Sequence, residues 1–235
     1  MSLDGMRVVV TGGSRGIGAA AARALAERGA DVLAVARGAE DLGALARDAG
    51  VTTFAADVST QQGVRALADH AHERWGEAPD ALVHAAGAFA LAPLVETAVA
   101  DFDRMIGANL RAAFLLARAW LPGMVERGAG HLCWVGSVAG RIALPGNAAY
   151  SASKFGLRGL HEVLDAETRG TGVRCTLVEP SATATSLWEE VDRDRYTDLP
   201  PADAMLDAAA VAEAIVWALE RPASVAVSNV AVRRA

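Results

Sequence analysis

Arg7-Val8-Val9-Val10-Thr11-Gly12-Gly13-Ser14-Arg15-Gly16-Ile17-Gly18 is the stretch that decides the fold. Residues 7–11 form a short apolar run without polar alternation, which predicts a strand buried on both faces. Residues 17–28 then carry apolar side chains at helical spacing. Strand, glycine-rich turn and helix start, in that order, make a cradle for phosphate. Glycine lets the backbone turn tightly and approach a pyrophosphate, and the first turn of a helix offers free N–H groups and positive potential. The loop therefore predicts dinucleotide binding, with Gly12, Ser14, Arg15, Gly16, Ile17 and Gly18 around the phosphates. Its glycines are spaced Gly-x3-Gly-x-Gly, not the commoner Gly-x-Gly-x2-Gly.

The same alternation continues outward from this stretch. Further strands are expected at 31–36, 51–55, 81–85, 131–136, 173–179 and 225–232. Between them, helices are expected at 40–49, 61–75, 101–127, 148–169 and 207–220. This pattern predicts an α/β protein with a doubly wound, parallel, seven-stranded sheet and helices on both faces, a Rossmann fold. With no repeat, low-complexity tract or linker, residues 1–235 read as a single domain. Residues 181–203 are the least regular and follow the sixth strand, where ligands of open α/β sheets bind. They read either as a substrate lid or as a plain solvated loop.

Composition narrows the class. Hydrophobic residues are 52% of the chain, enough for a large core. The net charge of −6, with no Lys/Arg-rich run, argues against nucleic acid as a partner. No signal-peptide pattern and no apolar run of membrane-spanning length is present, so no membrane partner and a cytoplasmic location are expected. Cys133 and Cys175 lie in apolar stretches and read as reduced core thiols in preference to a disulfide or metal pair. His70 and His72 point apart on a helix, and no metal site is expected.

The end of the second strand tests which dinucleotide binds. An NAD site places an acidic residue there to hold the ribose 2′-hydroxyl. This chain reads Val35-Ala36-Arg37. Arg37, with Arg15 in the loop, suits a 2′-phosphate, which arginine binds by paired charge-assisted hydrogen bonds. NADP(H) is the expected cofactor. After the third strand comes Asp57-Val58, where the carboxylate either accepts from the adenine amino group or caps the helix starting near Ser59.

Lys154 is the only lysine in a chain otherwise supplied with arginines. A position that refuses arginine needs a slim point charge and not a wide planar fork. It lies four residues after Tyr150, so a helix puts both on one face. A nearby cation favours phenolate and lowers the phenol pKa from ~10, making Tyr150 a candidate acid or base. Ser137, thirteen residues before Tyr150, ends the fifth strand. Asn109 sits inside an apolar helical run, as a satisfied core amide or as the holder of a proton-relay water.

Thr-Gly-x3-Gly-x-Gly, Asn109, Ser137 and Tyr-x3-Lys, in this order and spacing, resemble the short-chain dehydrogenase/reductase family in its compact branch. The resemblance spans residues 7–232. It implies hydride transfer between NADP(H) and a small-molecule carbonyl or alcohol. Tyr150 would move the proton, Ser137 would stabilise the oxygen, Lys154 would hold the nicotinamide ribose and Asn109 would anchor the water. Ala86, Gly87, Pro180, Thr183 and Thr185 would complete the cofactor contacts. Phe89, Ala139, Leu144, Asn147 and Trp188 would line the substrate pocket.

The same resemblance implies a homo-oligomer, a dimer or a homotetramer, formed through segments 101–127 and 148–169. The expected activity is that of an NADPH-dependent carbonyl reductase. Its rivals are an NAD-dependent alcohol dehydrogenase and a catalytically silent NADP(H) sensor. Two departures from the family pattern stand out. His84-Ala85-Ala86-Gly87 replaces Asn-Asn-Ala-Gly, with His84 read as structural, and Ser181 replaces the glycine after Pro180.

Overall fold

The first strand, β1 (Arg7–Thr11), sorts its side chains by parity. Val8 and Val10 enter one core layer and Val9 the other, all three fully buried. The computed structural model describes residues 2–189, 191–192, 195–196 and 199–235. The other strands of the main sheet are β2 (Asp31–Ala36), β3 (Thr52–Ala55), β4 (Ala81–His84), β5 (Gly130–Val135) and β6 (Val173–Pro180). A small pair, β7 (Thr183–Ala184) and β8 (Leu206–Asp207), lies apart from it, and the last strand is β9 (Asn229–Val232).

The main sheet has seven parallel strands in the order β3-β2-β1-β4-β5-β6-β9. Helices α1 (Gly16–Ala26), α2 (Ala39–Ala49) and α7 (Ala208–Leu219) cover one face. Helices α3 (Gln61–Trp75), α5 (Ala112–Arg127) and α6 (Ala148–Glu167) cover the other. The expected doubly wound single domain is what the chain forms. Strand order reverses between β1 and β4, which opens a crevice beyond their C-terminal ends.

Three elements differ from expectation. The helix expected over 101–127 is two helices, α4 (Val99–Ile106) and α5, joined by a π turn at Gly107–Arg111. There the Ala112 N–H reaches back five residues to the Gly107 carbonyl. The last strand is shorter than the expected 225–232. It pairs with Leu177–Pro180, the C-terminal half of β6, while ahead of it the Val225 and Val227 carbonyls accept from the Arg174 and Thr176 side chains of β6 and the Ser228 carbonyl from the Leu177 N–H. In segment 181–203, residues 183–184 are held as a strand by pairing with β8. Residues 190, 193, 194, 197 and 198 of that segment lie outside the described residues.

The cysteines are buried free thiols on neighbouring strands. Cys133 packs into one core layer and Cys175 into the other, so their side chains leave the sheet on opposite faces. Among the described residues, no helix is long and apolar enough to cross a membrane.

Candidate active site

The glycine loop is shaped by contacts that leave no room for side chains. A Cβ on Gly12, where φ is +72°, would come within 2.6 Å of the Ala86 nitrogen. A Cβ on Gly18 would come within 2.2 Å of the Gly12 carbonyl oxygen. These glycines let the turn after β1 press against the strand end at Ala85-Ala86 and fold back on α1. Arg15 stands at the helix start in extended conformation and provides no side-chain cap. The first-turn N–H groups of α1 are thus left for a ligand.

That turn borders a cavity of about 560 Å³. Gly12, Ser14, Arg15, Gly16 and Ile17 line one part of it. Arg37, Asp57, Val58, Ala86 and Gly87 line the rest. Gly18 stays out of the lining, buried behind the turn, so its part is to shape the loop. Arg15 and Arg37 are exposed, and neither makes an ion pair or hydrogen bond among the described residues. Asp57 spends Oδ1 on the Ser59 N–H and hydroxyl, at 2.9 and 2.7 Å. The cap of α3 is instead Thr60, whose Oγ1 accepts from the Gly63 N–H. Asp57 therefore shapes the turn ahead of the helix, while its carboxylate also lines the cavity. Asp41, in the first turn of α2, lines the cavity as well. Sequence reasoning missed it by looking only at the strand end for a carboxylate.

A second cavity, of about 590 Å³, shares Ile17, Gly87, Ala88 and Phe89 with the first. Asn109, Ser137, Tyr150 and Lys154 all border it. So do Pro180, Thr183 and Thr185, and the substrate-wall candidates Phe89, Ala139, Leu144, Asn147 and Trp188. Every residue singled out in the sequence for the chemistry lies around this one space.

Tyr150 and Lys154 are on the first two turns of α6, and the Lys154 ammonium lies 5.7 Å from the Tyr150 ring centre. Lys154 is buried and donates to the Val135 carbonyl at 2.9 Å. Burial pushes its pKa down to about 8. Ser137 caps the short turn after β5 by accepting the Ala139 N–H at 3.1 Å, which leaves its hydroxyl proton to donate. Burial pushes the Tyr150 phenol up to about 12, and a hydrogen bond with Ser137 pulls it partly back. This corrects the expectation of a lowered phenol. Without a cofactor, desolvation outweighs the distant ammonium.

Asn109 sits in the π turn and is fully buried. Its Oδ1 accepts the Ala88 N–H at 2.8 Å, and its Nδ2 donates to the Ala88 carbonyl at 2.9 Å and to Ser153 Oγ at 2.8 Å. Ser153 in turn donates to the Tyr150 carbonyl at 2.6 Å. The amide is thus committed to tying the β4 exit to the Tyr150 turn of α6. Of the two readings left open by the sequence, the satisfied core amide is the one its side chain fits. The side chain has no group left over for a water, which would have to be held by main-chain or neighbouring groups.

His84, at the first departure from the family pattern, is also structural in its contacts. Its Nδ1 shares a hydrogen bond of 2.8 Å with Thr11 Oγ1. Its Nε2 lies near the Ala108 carbonyl without a well-formed bond. Burial first, then the Lys154 charge, pushes its pKa down to about 3, so the ring is neutral.

Comparison with known proteins places this geometry. The family model described as short chain dehydrogenase matches residues 6–196. The D-threitol dehydrogenase of Mycolicibacterium smegmatis is 40% identical over 208 residues, covering 85% of this chain and 80% of that protein. The glycine betaine reductase of Emericella nidulans is 36% identical over 236 residues. That match takes in 97% of this chain but only 18% of the longer relative, so the chain corresponds to one segment of it. Among solved structures, a metagenomic short-chain oxidoreductase in complex with NADP superposes with a TM-score of 0.84. It has 33% identity and full coverage of both chains. The chain belongs to the short-chain dehydrogenase family of oxidoreductases.

Proposed function

We propose that this chain is an NADP(H)-dependent reductase that converts a ketone or related carbonyl to an alcohol, reversibly. The observation that carries the reading is the convergence of the Tyr150 phenol, the Ser137 hydroxyl and Lys154 on a cavity continuous with the glycine-loop cavity. The cofactor fits the residues present. The uncapped start of α1 suits a pyrophosphate, and the unpaired Arg15 and Arg37 suit a 2′-phosphate. Lys154 is the group to hold the nicotinamide ribose, with Thr183 and Thr185 beside it. Bound there, the cofactor supplies or accepts a hydride.

The chain's own residues would do the rest. The Ser137 hydroxyl donates to the carbonyl oxygen and steadies the charge that develops on it. Tyr150, whose phenol burial pushes up in the cofactor-free protein and so keeps protonated, gives its proton to that oxygen. Asn109 and Ser153 hold the Tyr150 turn in place. Thr185 and Leu187 border both cavities, which supports reading the described part of segment 181–203 as a substrate lid.

Replacing Arg15 and Arg37 together with alanine is expected to raise KM for NADPH by at least about tenfold and to leave KM for NADH nearly unchanged. Steady-state rates with each cofactor measure this, and equal effects on both would remove the NADP(H) assignment. Asp41 favours a second reading, NAD, because a carboxylate near Arg37 could take a ribose 2′-hydroxyl. The same experiment separates the two. A silent NADP(H) sensor is disfavoured by the presence of Tyr150, Ser137 and Lys154. NADPH oxidation against a ketone panel decides that point.

A homo-oligomer belongs to the same reading. Phe114 on α5 and Phe155 and Val163 on α6 are 45–55% exposed, an apolar face on the helices expected to pair. Light scattering is expected to give a dimer or tetramer, and a monomer at micromolar concentration would contradict it. A cytoplasmic location accords with two free buried thiols.

A further inference from the structure

The wall of the substrate cavity is apolar for a specific reason. Beyond Tyr150, two of its aromatic residues have polar tips, and the protein has already used both. The Trp188 indole N–H donates to the Thr183 carbonyl at 3.0 Å. The Tyr196 hydroxyl donates to the Leu91 carbonyl at 3.2 Å. Each therefore presents ring surface to the cavity, with Leu91, Ile142 and Leu144 as further apolar lining. Three rings run in series from the reacting phenol. Phe89 meets Tyr150 edge-on at 4.8 Å and 80°, and it meets Trp188 at 5.2 Å and 59°.

The polar groups of the lining are similarly committed. Thr183 Oγ1 donates to the Ser181 carbonyl, the Asn147 amide donates to the Pro145 carbonyl, and Lys154 is held by the Val135 carbonyl. Arg195 is paired with Glu96 at 2.5 Å. The hydroxyls of Ser137 and Tyr150 remain to meet a ligand, and together they serve one oxygen atom. Apart from these, the Asn147 side-chain oxygen and the Ser181 and Thr185 hydroxyls are what the described side chains leave to a polar ligand, and Thr185 stands on the cofactor side, where it borders both cavities.

We propose that the substrate is an uncharged ketone whose single carbonyl oxygen meets Ser137 and Tyr150, and whose remaining bulk is apolar and ring-bearing. A polyhydroxylated ketone would bury hydroxyls without partners, each at a cost of roughly tenfold to a hundredfold in affinity. Of the cations on the described wall, Arg195 is paired with Glu96, and Lys154 is buried against the Val135 carbonyl and assigned to the nicotinamide ribose, so an anionic ketone has no cation of its own. A cavity of about 590 Å³ accommodates a bicyclic skeleton. This deepens the reductase reading and rests on it.

The test compares 1-tetralone and acetophenone with L-erythrulose, dihydroxyacetone and pyruvate, using the full chain and NADPH. The aryl ketones are expected to exceed the others in kcat/KM by at least about tenfold. Trp188→Ala is expected to raise KM for 1-tetralone about tenfold. Erythrulose or pyruvate matching tetralone would overturn the proposal. Calorimetric titration of the protein–NADPH complex with 1-tetralone and with erythrulose separates the two levels of inference. Tighter binding of tetralone without turnover of any ketone would remove the reductase reading and keep the substrate class. Equal or tighter binding of erythrulose would remove the substrate class whether or not turnover is seen.

Discussion

Tyr150→Phe is expected to lower carbonyl reduction by roughly 10²–10⁴-fold while leaving the fold and NADPH affinity near those of the parent. The substitution removes one oxygen and keeps the ring. The edge-on contact with Phe89 at 4.8 Å survives, and so does the main-chain carbonyl that receives Ser153. What is lost is a proton donor at the one place in the cavity where a carbonyl oxygen can meet two hydroxyls. Single-turnover rates with saturating NADPH read the chemical step directly. Retention of more than about a tenth of the parent rate would mean that another group, or water, supplies the proton.

The second large effect concerns stability. In the cofactor-free protein, Lys154→Met is expected to unfold about 2 kcal/mol later than the parent at pH 7 and yet to be inactive. Folding takes the Lys154 pKa from an ordinary 10.5 down to about 8. That difference corresponds to about 3 kcal/mol of unfavourable charge burial, of which about 1 kcal/mol is returned because methionine leaves the Val135 carbonyl without its donor. Below pH 8 the amine is charged in both the folded and the unfolded chain, and the cost is fully present. Between about 8 and 10.5 the folded amine is neutral while the unfolded one still binds a proton. The parent's relative stability therefore rises with pH, and the gap to the variant closes. Urea titrations at pH 7 and pH 10 measure this. A gap independent of pH, or a less stable variant at pH 7, would show that the ammonium is not strained by burial. Lys154→Arg, which keeps the charge but widens the group, is expected to lose most turnover. A fork cannot take the slim channel between Val135 and the Tyr150 ring.

Much of this molecule can be read from the chain because its parallel strands are buried on both faces. Runs such as Val8-Val9-Val10 then have no alternative environment, and the strand–helix rhythm follows. The site residues were legible for a related reason, since Tyr150, Lys154 and Ser137 carry the polar side chains that border one cavity from near the starts and ends of elements. The parts that were not legible depend on geometry between distant segments. Nothing in Gly107-Ala108-Asn109-Leu110-Arg111 marks a π turn, because the extra residue is stabilised by what Asn109 reaches at Ala88 and Ser153. The last strand starts late because residues 225–227 meet side chains of β6 ahead of its ladder, and the strand at 183–184 exists through pairing with residues 206–207. Asp41 enters the cavity from a helix, one turn beyond the strand end that pattern reading inspects. The direction of the Tyr150 pKa shift depended on burial, which spacing to a lysine does not reveal.

The burial of this chain's one lysine and two cysteines has a practical side. Lys154 is only 6% exposed and both thiols are inaccessible, with burial holding Cys133 near 12 and Cys175 near 11. At neutral pH the folded protein thus offers side-chain amine and thiol reagents almost nothing to modify. A single cysteine introduced on the cavity rim would be a unique attachment point for a dye or spin label. Conversely, the native thiols report opening of the core. A disulfide reagent consumes them only as fast as the sheet exposes them, so the chain carries its own chemical record of how often it unfolds.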